Sequence, residues 1–333
     1  MTTLAGWDKW EGDGPEWDRT LLEISDFNLY QSWGWGLHRA EFGWSPTPLV
    51  FFANDRVTSM AMALIKKKLG VVTVCWIPGG PVGDLAGSCP TLIKAVQLAT
   101  NNPATYVHIG SMAQLSDTTS NKLRASAWRL PLQSLNSGKT LVYKSFEDDT
   151  DRRTLLSKNW GRNLARGESR NLVVTEWHGA TGKEIADITN QMRDYKKISD
   201  ALNVNEIADS LMRVFGNQVL MVRCIDAAGI TLAIRGVIKY GSKAYDMFSA
   251  ASPAGRKEYA SNLCLWKIIE LCARDGITHY DLSGVDPVAN QGVYNFKKGI
   301  GAMDFNYQGE WTLSRPRIFG SLISRMISRR LRT

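Results

Sequence analysis

Residues 218–252, "QVLMVRCIDAAGITLAIRGVIKYGSKAYDMFSAAS", form the stretch that decides the fold. Three runs rich in apolar and β-branched residues are separated by the turn sequences "DAAG" and "YGSK", and this pattern predicts a meander of three strands. Residues 259–276, "YASNLCLWKIIELCARDG", follow with apolar residues at helical spacing and a glycine at the end, which predicts a helix. The strand-like "ITHYDLSGV" (277–285) completes a unit of meander, helix and strand.

The first half of the chain has a similar order of elements. "TPLVFFANDRVTSMAMALIKKK" (47–68) predicts a hairpin that turns at "ANDR". A third strand is predicted in "GVVTVCWIPGGPVGD" (70–84), a helix in "CPTLIKAVQLAT" (89–100) and a further strand in "ATYVHIGSMA" (104–113). Two halves with similar order suggest an internal structural repeat.

The length and composition of the chain limit the number of domains and the class of protein. A chain of 333 residues is expected to form two domains. The acidic segment "FEDDTDRR" (146–153) predicts the boundary, so we expect domains at 1–148 and 149–312 and a final helix at 313–333. With 44% hydrophobic and 22% charged residues the chain is typical of soluble globular proteins. The net charge of +8 fits either an ordinary basic enzyme or a polyanionic partner such as RNA, a diphosphate-linked substrate or an anionic membrane.

The sequence lacks the motifs that several classes of chemistry require. The five cysteines are odd in number and form no CxxC, which indicates reduced thiols in a cytoplasmic compartment. No apolar run reaches the length of a membrane span, and the N-terminus does not resemble a signal peptide. Four histidines without H-E-x-x-H predict no metal site. The sequence also lacks G-x-S-x-G, a P-loop and G-x-G-x-x-G after a strand, so chemistry based on positioning and electrostatics remains.

Five motifs in a fixed order carry a family resemblance. They are "NLYQSWGWGLHRAEFGW" (28–44), "WIPGGPVGD" (76–84), "WGRNLARGESRNLVV" (160–174), the segment 245–285 that contains "YDLSGV", and "YNFKKGIGA" (294–302). In this order they resemble the FemABX family of peptidoglycan bridge-forming aminoacyltransferases. The resemblance implies an α/β (α+β) chain of two tandem acetyltransferase-like domains, with mixed sheets flanked by helices. The coiled-coil arm of some relatives is absent, so the chain is similar to the compact members.

The resemblance also implies an activity. Family members move an amino acid from its tRNA ester to an amine of a peptidoglycan precursor, and no cofactor is expected beyond the aminoacyl-tRNA. One alternative is an N-acyltransferase that uses an acyl-CoA or carrier-protein thioester on a sugar- or lipid-linked amine. Another is a basic RNA- or membrane-binding module without chemistry.

Lys297 and Asp281 are the catalytic candidates. Lys297 matches the lysine of the family's F-K-x-G segment. A cation at the carbonyl oxygen of an attacked ester lowers the barrier by about 3–4 kcal/mol, although such a lysine can instead neutralise a phosphate, or Lys297 and Lys298 can be a plain surface pair. Asp281 is the carboxylate candidate for taking the amine's proton, and a buried structural aspartate is the equal alternative. Glycines around Lys298–Ile300 are expected to let the backbone approach a ligand.

Arg39 stands where the family carries a lysine that contacts the acceptor's phosphates, a role that arginine suits; a solvated helix charge is the alternative. Gly80 occupies a position where relatives often carry Arg or Lys, which weakens a phosphate-gripping role for that loop. Further candidates for substrate binding are Arg193, Tyr195, Tyr245, Ser249 and Phe296.

Two basic segments suggest partners. Lys158, Arg162, Arg166 and Arg170 recur every four residues, as on one face of a helix, and predict either a stripe that contacts tRNA phosphates or a solvated face. Residues 313–333 place apolar side chains on one stripe and arginines on the other side, which suits contact with an anionic membrane. We therefore expect a cytoplasmic protein that can lie at the inner face of the membrane. A helix covering the core, or a disordered tail, is the alternative.

Overall fold

The computed structural model describes residues 5–68, 71–144, 146, 148–197, 203–317, 320 and 323. The chain divides into two compact units. The first unit contains residues 1–139 and 306–333, and the second contains residues 140–305.

The first unit is built on a mixed sheet whose strand order is β1-β2-β3-β4-β6-β13, with β5 on β3. Only β4 and β6 are parallel; the other pairs are antiparallel. The strands are β1 (Gly6–Lys9), β2 (Ser45–Ala53), β3 (Arg56–Lys68), β4 (Val72–Gly79), β5 (Val82–Gly83), β6 (Thr105–Gln114) and β13 (Met303–Arg315). The helices are α1 (Gly14–Leu22), α2 (Trp33–Glu41), α3 (Leu85–Thr100) and α4 (Asp117–Ala125), with a 3₁₀ turn at Leu29–Gln31.

The second unit has its own mixed sheet, with the order β7-β12-β11-β10-β9-β8 and one parallel pair, β11 with β12. The strands are β7 (Lys139–Tyr143), β8 (Val173–Glu176), β9 (Val219–Ile225), β10 (Thr231–Tyr240), β11 (Lys243–Ala251) and β12 (His279–Gly284). The helices are α5 (Asp149–Thr154), α6 (Lys158–Glu168), α7 (Gly182–Lys196), α8 (Val204–Phe215), α9 (Pro253–Lys257), α10 (Ala260–Arg274) and α11 (Gln291–Lys298), with a 3₁₀ turn at Gly216–Gln218.

Both units repeat one order of elements. In the first, the meander β2-β3-β4 leads through α3 to β6, which pairs parallel with β4. In the second, the meander β9-β10-β11 leads through α10 to β12, which pairs parallel with β11. The predicted tandem of mixed sheets flanked by helices is confirmed.

The boundaries differ from the expected 1–148 and 149–312. Residues 307–315 of β13 pair antiparallel with β6, so the end of the chain returns to the first unit. Residues 140–143 pair with β12 and belong to the second unit. Each unit is thus completed by a strand that the sequence analysis did not predict, and long-range pairing of this kind leaves no local signal.

Local chemistry explains the elements that were predicted correctly. In the β2-β3 hairpin, Ala53 pairs with Arg56, and the two turn residues Asn54 and Asp55 have φ of 51° and 61°. Asn and Asp tolerate the left-handed region that such two-residue turns require. The segment before β2 forms α1, a 3₁₀ turn and α2 rather than one continuous helix, because the side chain of Ser32 caps a new helix by accepting a hydrogen bond from the amide of Trp35.

The core of each unit is apolar. Helix α10 covers one face of the second sheet with side chains such as Leu265, Ile268 and Cys272. All five cysteines are buried free thiols. In the part of the chain described, no helix is both long and apolar enough to cross a bilayer.

The predicted C-terminal helix lies mostly outside the described residues. Of its proposed membrane-facing stripe, only Ile323 is described, and it packs in a buried cluster with Val72, Val74 and Tyr106. At this position the structure agrees with the alternative in which the helix covers the core.

Candidate active site

A bulge in the β10-β11 hairpin gathers the polar side chains of the candidate site. Arg235 lies opposite Ser249 and Val237 lies opposite Asp246, with an irregularity between Gly236 and Val237. Side chains alternate along a strand, so without the extra residue Asp246 and Ser249 would point to opposite faces. With it, both reach the guanidinium of Arg235: Nη2 donates to Asp246 Oδ2 at 2.7 Å and Nη1 donates to Ser249 Oγ at 3.4 Å.

Tyr280 closes this arrangement from the neighbouring strand β12. Its hydroxyl accepts a hydrogen bond from Arg235 Nε at 2.9 Å and donates one to Asp246 Oδ1 at 2.8 Å. The side chains of Arg235 and Asp246 are 3% and 5% exposed, and Tyr280 is fully buried. Burial raises the pKa of the Asp246 carboxyl, and the charges of Arg235 and Lys297 oppose that rise. Both carboxylate oxygens of Asp246 are therefore held in a fixed orientation.

Lys297 projects from α11 toward the end of β12. It is 8% exposed, and its Nζ donates to the backbone carbonyls of Ser283 and Gly284 at 3.3 Å each. Ser283 has φ of 67°, a left-handed conformation that is uncommon for serine. An ammonium has three N–H donors, so one N–H of Lys297 remains uncommitted within the described part of the chain. Burial lowers the pKa of Lys297, Asp246 raises it again, Arg235 lowers it further, and Asp281 raises it.

The neighbouring Lys298 has a different environment. Its side chain is 42% exposed, and its Nζ pairs with Asp304 Oδ2 at 2.7 Å. Of the two adjacent lysines, therefore, the one that matches the family motif is buried, and the other forms an ordinary surface ion pair.

Asp281 lies near Lys297, but one of its oxygens is already engaged. Oδ1 accepts from Thr140 Oγ1 at 2.6 Å and from the amide of Ser283 at 2.8 Å. These bonds shape the end of β12, as the structural alternative for Asp281 expected. Proton acceptance by Asp281 stays a prediction.

The glycines after Lys297 have a role that differs from the expected one. A Cβ on Gly299 would lie 2.9 Å from Trp160 and 3.0 Å from Ser157, and Gly301 has φ of 90°. The amide of Ser157 also donates to the carbonyl of Gly299 at 2.8 Å. The close backbone approach is therefore to the start of α6, within the protein, rather than to a ligand. Phe296 joins this packing, with its ring centroid 6.0 Å from that of Trp160.

The other predicted substrate residues of the second unit are dispersed. Tyr245 is buried and pairs in register with Asp281, while Ser249 is exposed beside Arg235. Tyr195 is 58% exposed at the end of α7, and the guanidinium of Arg256 lies 5.4 Å from its ring centroid. Arg193, half-buried, is on the same helix. Among the contacts described, Ser249 joins the buried network through Arg235, and Lys297 and Asp281 both bond to the backbone of Ser283 at the end of β12.

In the first unit, Arg39 is held by aromatic faces. Its Cζ lies 5.4 Å from the Trp76 ring centroid and 5.6 Å from that of Phe42. Trp44 packs against Trp76 at 5.6 Å, and Lys66 Nζ lies 4.6 Å above the Trp44 ring. Burial lowers the pKa of Arg39, and its buried Nε has no hydrogen-bond partner among the described residues. Guanidinium groups in such positions suit anionic ligands.

The Q-S motif near Arg39 supports the loop that contains Gly80. Gln31, fully buried, donates from Nε2 to the carbonyl of Pro78 at 2.6 Å and accepts from the amide of Met62 at 2.7 Å. A Cβ on Gly80 would lie 2.5 Å from the Gln31 side chain. This loop has no room for the Arg or Lys of relatives, so its departure from the family pattern has a steric cause.

The basic stripe on α6 is shorter than predicted. Lys158, Arg162 and Arg166 are exposed on the helix, where Arg162 donates to Asn159 and Arg166 to the hydroxyl of Tyr259. Arg170 lies beyond the last helical residue, Glu168, and pairs with Glu258 at 3.1 Å. The predicted run of four is wrong for Arg170, and contact of the other three with tRNA stays a prediction.

Sequence reasoning missed Arg235, Asp246 and Tyr280 as site residues. A usable signal existed, since "TLAIRGVIKY" has Arg235 in the middle of an apolar run and "AYDMF" has Asp246 in another. Pairing them around the predicted "YGSK" turn brings Asp246 opposite Val237, two residues from Arg235. Buried charges need partners, so this register would have suggested the pair.

The comparisons with known proteins agree with this architecture. A family model described as an acetyltransferase (GNAT) domain matches residues 157–298. No curated protein matches the chain.

Three solved structures illustrate the fold. A crystal structure of FemX superposes with a TM-score of 0.82 and 15% identity, covering 95% of this chain and 100% of its own. A tandem GNAT protein from the clavulanic acid biosynthesis pathway superposes with a TM-score of 0.55 and 9% identity, covering 93% of this chain and 98% of its own. The C-terminal domain of a putative lysylphosphatidylglycerol synthetase from Agrobacterium fabrum superposes with a TM-score of 0.53 and 12% identity, covering 95% of this chain and 97% of its own. The fold is FemX-like, and with the acetyltransferase family match the protein is an acyltransferase.

Proposed function

We propose that this acyltransferase transfers an aminoacyl group from aminoacyl-tRNA to the amine of a peptidoglycan precursor or a similar acceptor. The observation that carries the proposal is Lys297, a buried ammonium with one uncommitted N–H, at the family's lysine position in a FemX-like fold. The reaction belongs in the cytoplasm, where charged tRNA is found.

The chemistry assigned to Lys297 is electrostatic. The acceptor nitrogen forms a bond to the ester carbonyl carbon, and the carbon–oxygen bond to the tRNA ribose breaks. Negative charge develops on the carbonyl oxygen during the attack, and the free N–H of Lys297 stabilises it. Such a donor contributes about 3–4 kcal/mol in comparable sites. The amine loses a proton, which the Asp281 carboxylate accepts in this scheme, and the ribose oxygen gains one as it leaves.

Arg39 is assigned to the phosphate groups of the acceptor. Its guanidinium is half-buried between aromatic rings and has an unpaired Nε, so an anionic oxygen would supply the missing hydrogen bond. Lys158, Arg162 and Arg166 on α6 are assigned to tRNA phosphates, because all three are exposed. Arg193 and Tyr195 are assigned to the rest of the acceptor.

A thioester donor is the second candidate. The family model that matches residues 157–298 is an acetyltransferase domain, and one similar structure is a tandem GNAT protein. In that case an acyl-CoA would replace the aminoacyl-tRNA, and the acceptor would be a sugar- or lipid-linked amine.

The donor is tested by parallel incubations followed by mass spectrometry. Purified protein is mixed with candidate amine acceptors and either total charged tRNA or acyl-CoA. The proposal expects an acceptor product that gains an amino-acid mass only with charged tRNA, and only before the tRNA is deacylated with base. A product formed only from the thioester would contradict the tRNA proposal and support the second candidate.

A further inference from the structure

The strand β12 contains a bulge just before its end. Asp281 of β12 pairs with Val142 of β7, and Gly284 pairs with Thr140, so three steps along β12 (281 to 284) are matched by two along β7 (142 to 140). Such a bulge re-aims the groups at the end of a strand. Ser283, inside the bulge, has φ of 67°, a conformation that strains a serine and that a glycine adopts freely. Contacts from the rest of the fold must therefore hold this residue.

Thr140 is the residue of β7 that supplies such a contact. It is fully buried, and its hydroxyl oxygen lies 2.6 Å from Asp281 Oδ1 and 2.9 Å from the carbonyl oxygen of Ser283. The same Oδ1 accepts the amide proton of Ser283 at 2.8 Å. A hydroxyl has one proton to donate, and both oxygens within its reach are acceptors. The hydroxyl therefore ties the carboxylate and the strained peptide to β7.

The bulge in turn holds Lys297. The Nζ of this lysine donates to the carbonyls of Ser283 and Gly284 at 3.3 Å each. Thr140 and Lys297 thus share an acceptor, the carbonyl oxygen of Ser283, and the whole path lies within the second unit. In the described part of the chain the Ser283 hydroxyl itself forms no hydrogen bond, so the contribution of this residue comes from its backbone. A displaced Ser283 peptide would therefore displace the ammonium.

We propose that Thr140 is a positioning residue for acyl transfer: its hydroxyl fixes the left-handed conformation of Ser283, and the carbonyls of the bulge then fix the Lys297 ammonium. The catalytic meaning of this role rests on the proposed function, whereas the positioning itself concerns only hydrogen bonds within this chain. Thr140 acts through Ser283 and does not contact the acyl group in this scheme.

Competitive amine labelling tests the positioning without any substrate. The full-length protein is treated briefly with acetic anhydride, and mass spectrometry compares acetylation of Lys297 with that of its neighbour Lys298, which is 42% exposed. Thr140→Val keeps the shape of the side chain and removes its hydroxyl. The ammonium should then be released, and labelling of Lys297 relative to Lys298 should rise several-fold. Thr140→Ser retains the hydroxyl and should keep the wild-type ratio.

Thr105→Val is the matched control for the loss of a buried hydroxyl. Thr105 is also a fully buried threonine in a strand, and its hydroxyl donates to the carbonyl of Asn102 at 2.9 Å in the first unit. Its substitution should leave the labelling ratio of Lys297 to Lys298 unchanged. An unchanged ratio in folded Thr140→Val, or an equal rise in Thr105→Val, would overturn the proposal.

Substitutions of Ser283 test the link through the bulge and cover the case in which Thr140→Val does not fold. Because glycine adopts φ of 67° without strain, the bulge in Ser283→Gly should persist unaided, and Thr140→Val should raise Lys297 labelling much less in that background. Because β-branched residues resist positive φ, Ser283→Val alone should raise the labelling. The positioning role is wrong if Thr140→Val has the same effect in both backgrounds, or if Ser283→Val leaves the ratio unchanged.

Activity separates this proposal from the proposed function. Displacement of a group near the reaction costs up to about 10²-fold in rate, so Thr140→Val should lower the single-turnover rate of aminoacyl transfer by about 10- to 100-fold and leave the affinity for the acceptor unchanged. Thr140→Ser should restore the rate. A rise in Lys297 labelling without a loss of rate would contradict the catalytic role of Lys297 and leave the positioning intact. A loss of rate without a rise in labelling would contradict the positioning itself.

Discussion

Lys297 and Arg39 are both removed from water, but their charges are balanced in different ways. Lys297 lies among carboxylates and two backbone carbonyls in the second unit, and Asp246 favours its charged form. Arg39, in the first unit, lies between Trp76 and Phe42 and has no carboxylate bonded to it among the described residues. The first cation is held by backbone carbonyls of its own unit, and the second has a buried Nε without a hydrogen-bond partner among the described residues, which an anionic ligand can supply. The comparison teaches that two basic residues, both selected by their positions in family motifs, can lie in different environments, one suited to catalysis and the other to ligand binding.

The largest expected effect is on stability, from removing the carboxylate of Asp246. Asp246→Ala leaves Arg235 buried without its carboxylate partner, and breaking a buried pair from one side costs about 3–5 kcal/mol. Urea unfolding measures the loss. The control is Glu176→Ala, which breaks the exposed pair with Arg274 and should cost about 1 kcal/mol or less. Equal losses of stability in the two variants would contradict the expected difference between a buried and an exposed ion pair.

A smaller effect is expected from His38, which lies next to Arg39. Burial and, to a smaller extent, the charge of Arg39 lower its pKa to about 4, against an opposing effect of Glu41. The unfolded chain takes up this proton near pH 6.5 and the folded chain only near pH 4. The unfolded state thus binds more protons in that window, so acidification from pH 6.5 to 4 should destabilise the fold through His38 by at most about 3 kcal/mol.

Thermal unfolding across this pH range measures the contribution of His38. In His38→Gln, the fall in Tm on acidification should be smaller than in the wild type. In Arg39→Met it should also be smaller, because the neighbouring cation is gone. Identical slopes for all three proteins would show that His38 does not carry the effect.

Arg39 itself should matter more for binding than for stability. Hydrogen bonds to charged groups contribute about 1.5–3 kcal/mol, so Arg39→Met should weaken binding of a nucleoside diphosphate or inorganic pyrophosphate by roughly 10-fold or more. Stability should be unchanged or slightly higher, because a half-buried cation without a carboxylate partner is removed. Isothermal titration calorimetry measures the affinity, with the exposed Arg56→Met as the control. A large loss of stability without a loss of affinity would reverse the assignment.

The smallest effect is expected at Lys298 and Asp304. Their ion pair is half-exposed, and such pairs contribute about 0–1 kcal/mol. The free energy of unfolding of Lys298→Ala should therefore differ from that of the wild type by about 1 kcal/mol at most. A loss as large as that of Asp246→Ala would mean that the second lysine is also part of the buried network.

Local patterns were sufficient for most of the fold. The apolar spacing of residues 260–274 gave α10, and the Asn54–Asp55 turn gave the β2-β3 hairpin, because both depend on neighbours in sequence. The strands β7 and β13 were not predicted, since each is defined by a partner more than 130 residues away in the chain. Helix α11, which positions Lys297, was also missed within a polar, glycine-containing segment.

The candidate site was predictable only in part. The family motif identified Lys297, and the structure places its buried ammonium at the end of β12, where the carbonyls of Ser283 and Gly284 accept its hydrogen bonds. Arg235 and Asp246 are brought together by hairpin register and a bulge, and a bulge has no distinctive sequence here. The packing of Gly299 was not predicted because its neighbours Ser157 and Trp160, at the start of α6, lie far earlier in the chain.

The most direct measurement of the central claim is the single-turnover rate of aminoacyl transfer in Lys297→Ala beside Lys298→Ala. Both remove one ammonium from adjacent positions of α11, so they change net charge equally. Loss of a positioned donor to the developing oxyanion predicts a rate lower by roughly 10²–10³-fold for Lys297→Ala, with Lys298→Ala close to the wild type. Equal rates for the two variants, in correctly folded protein, would contradict the account.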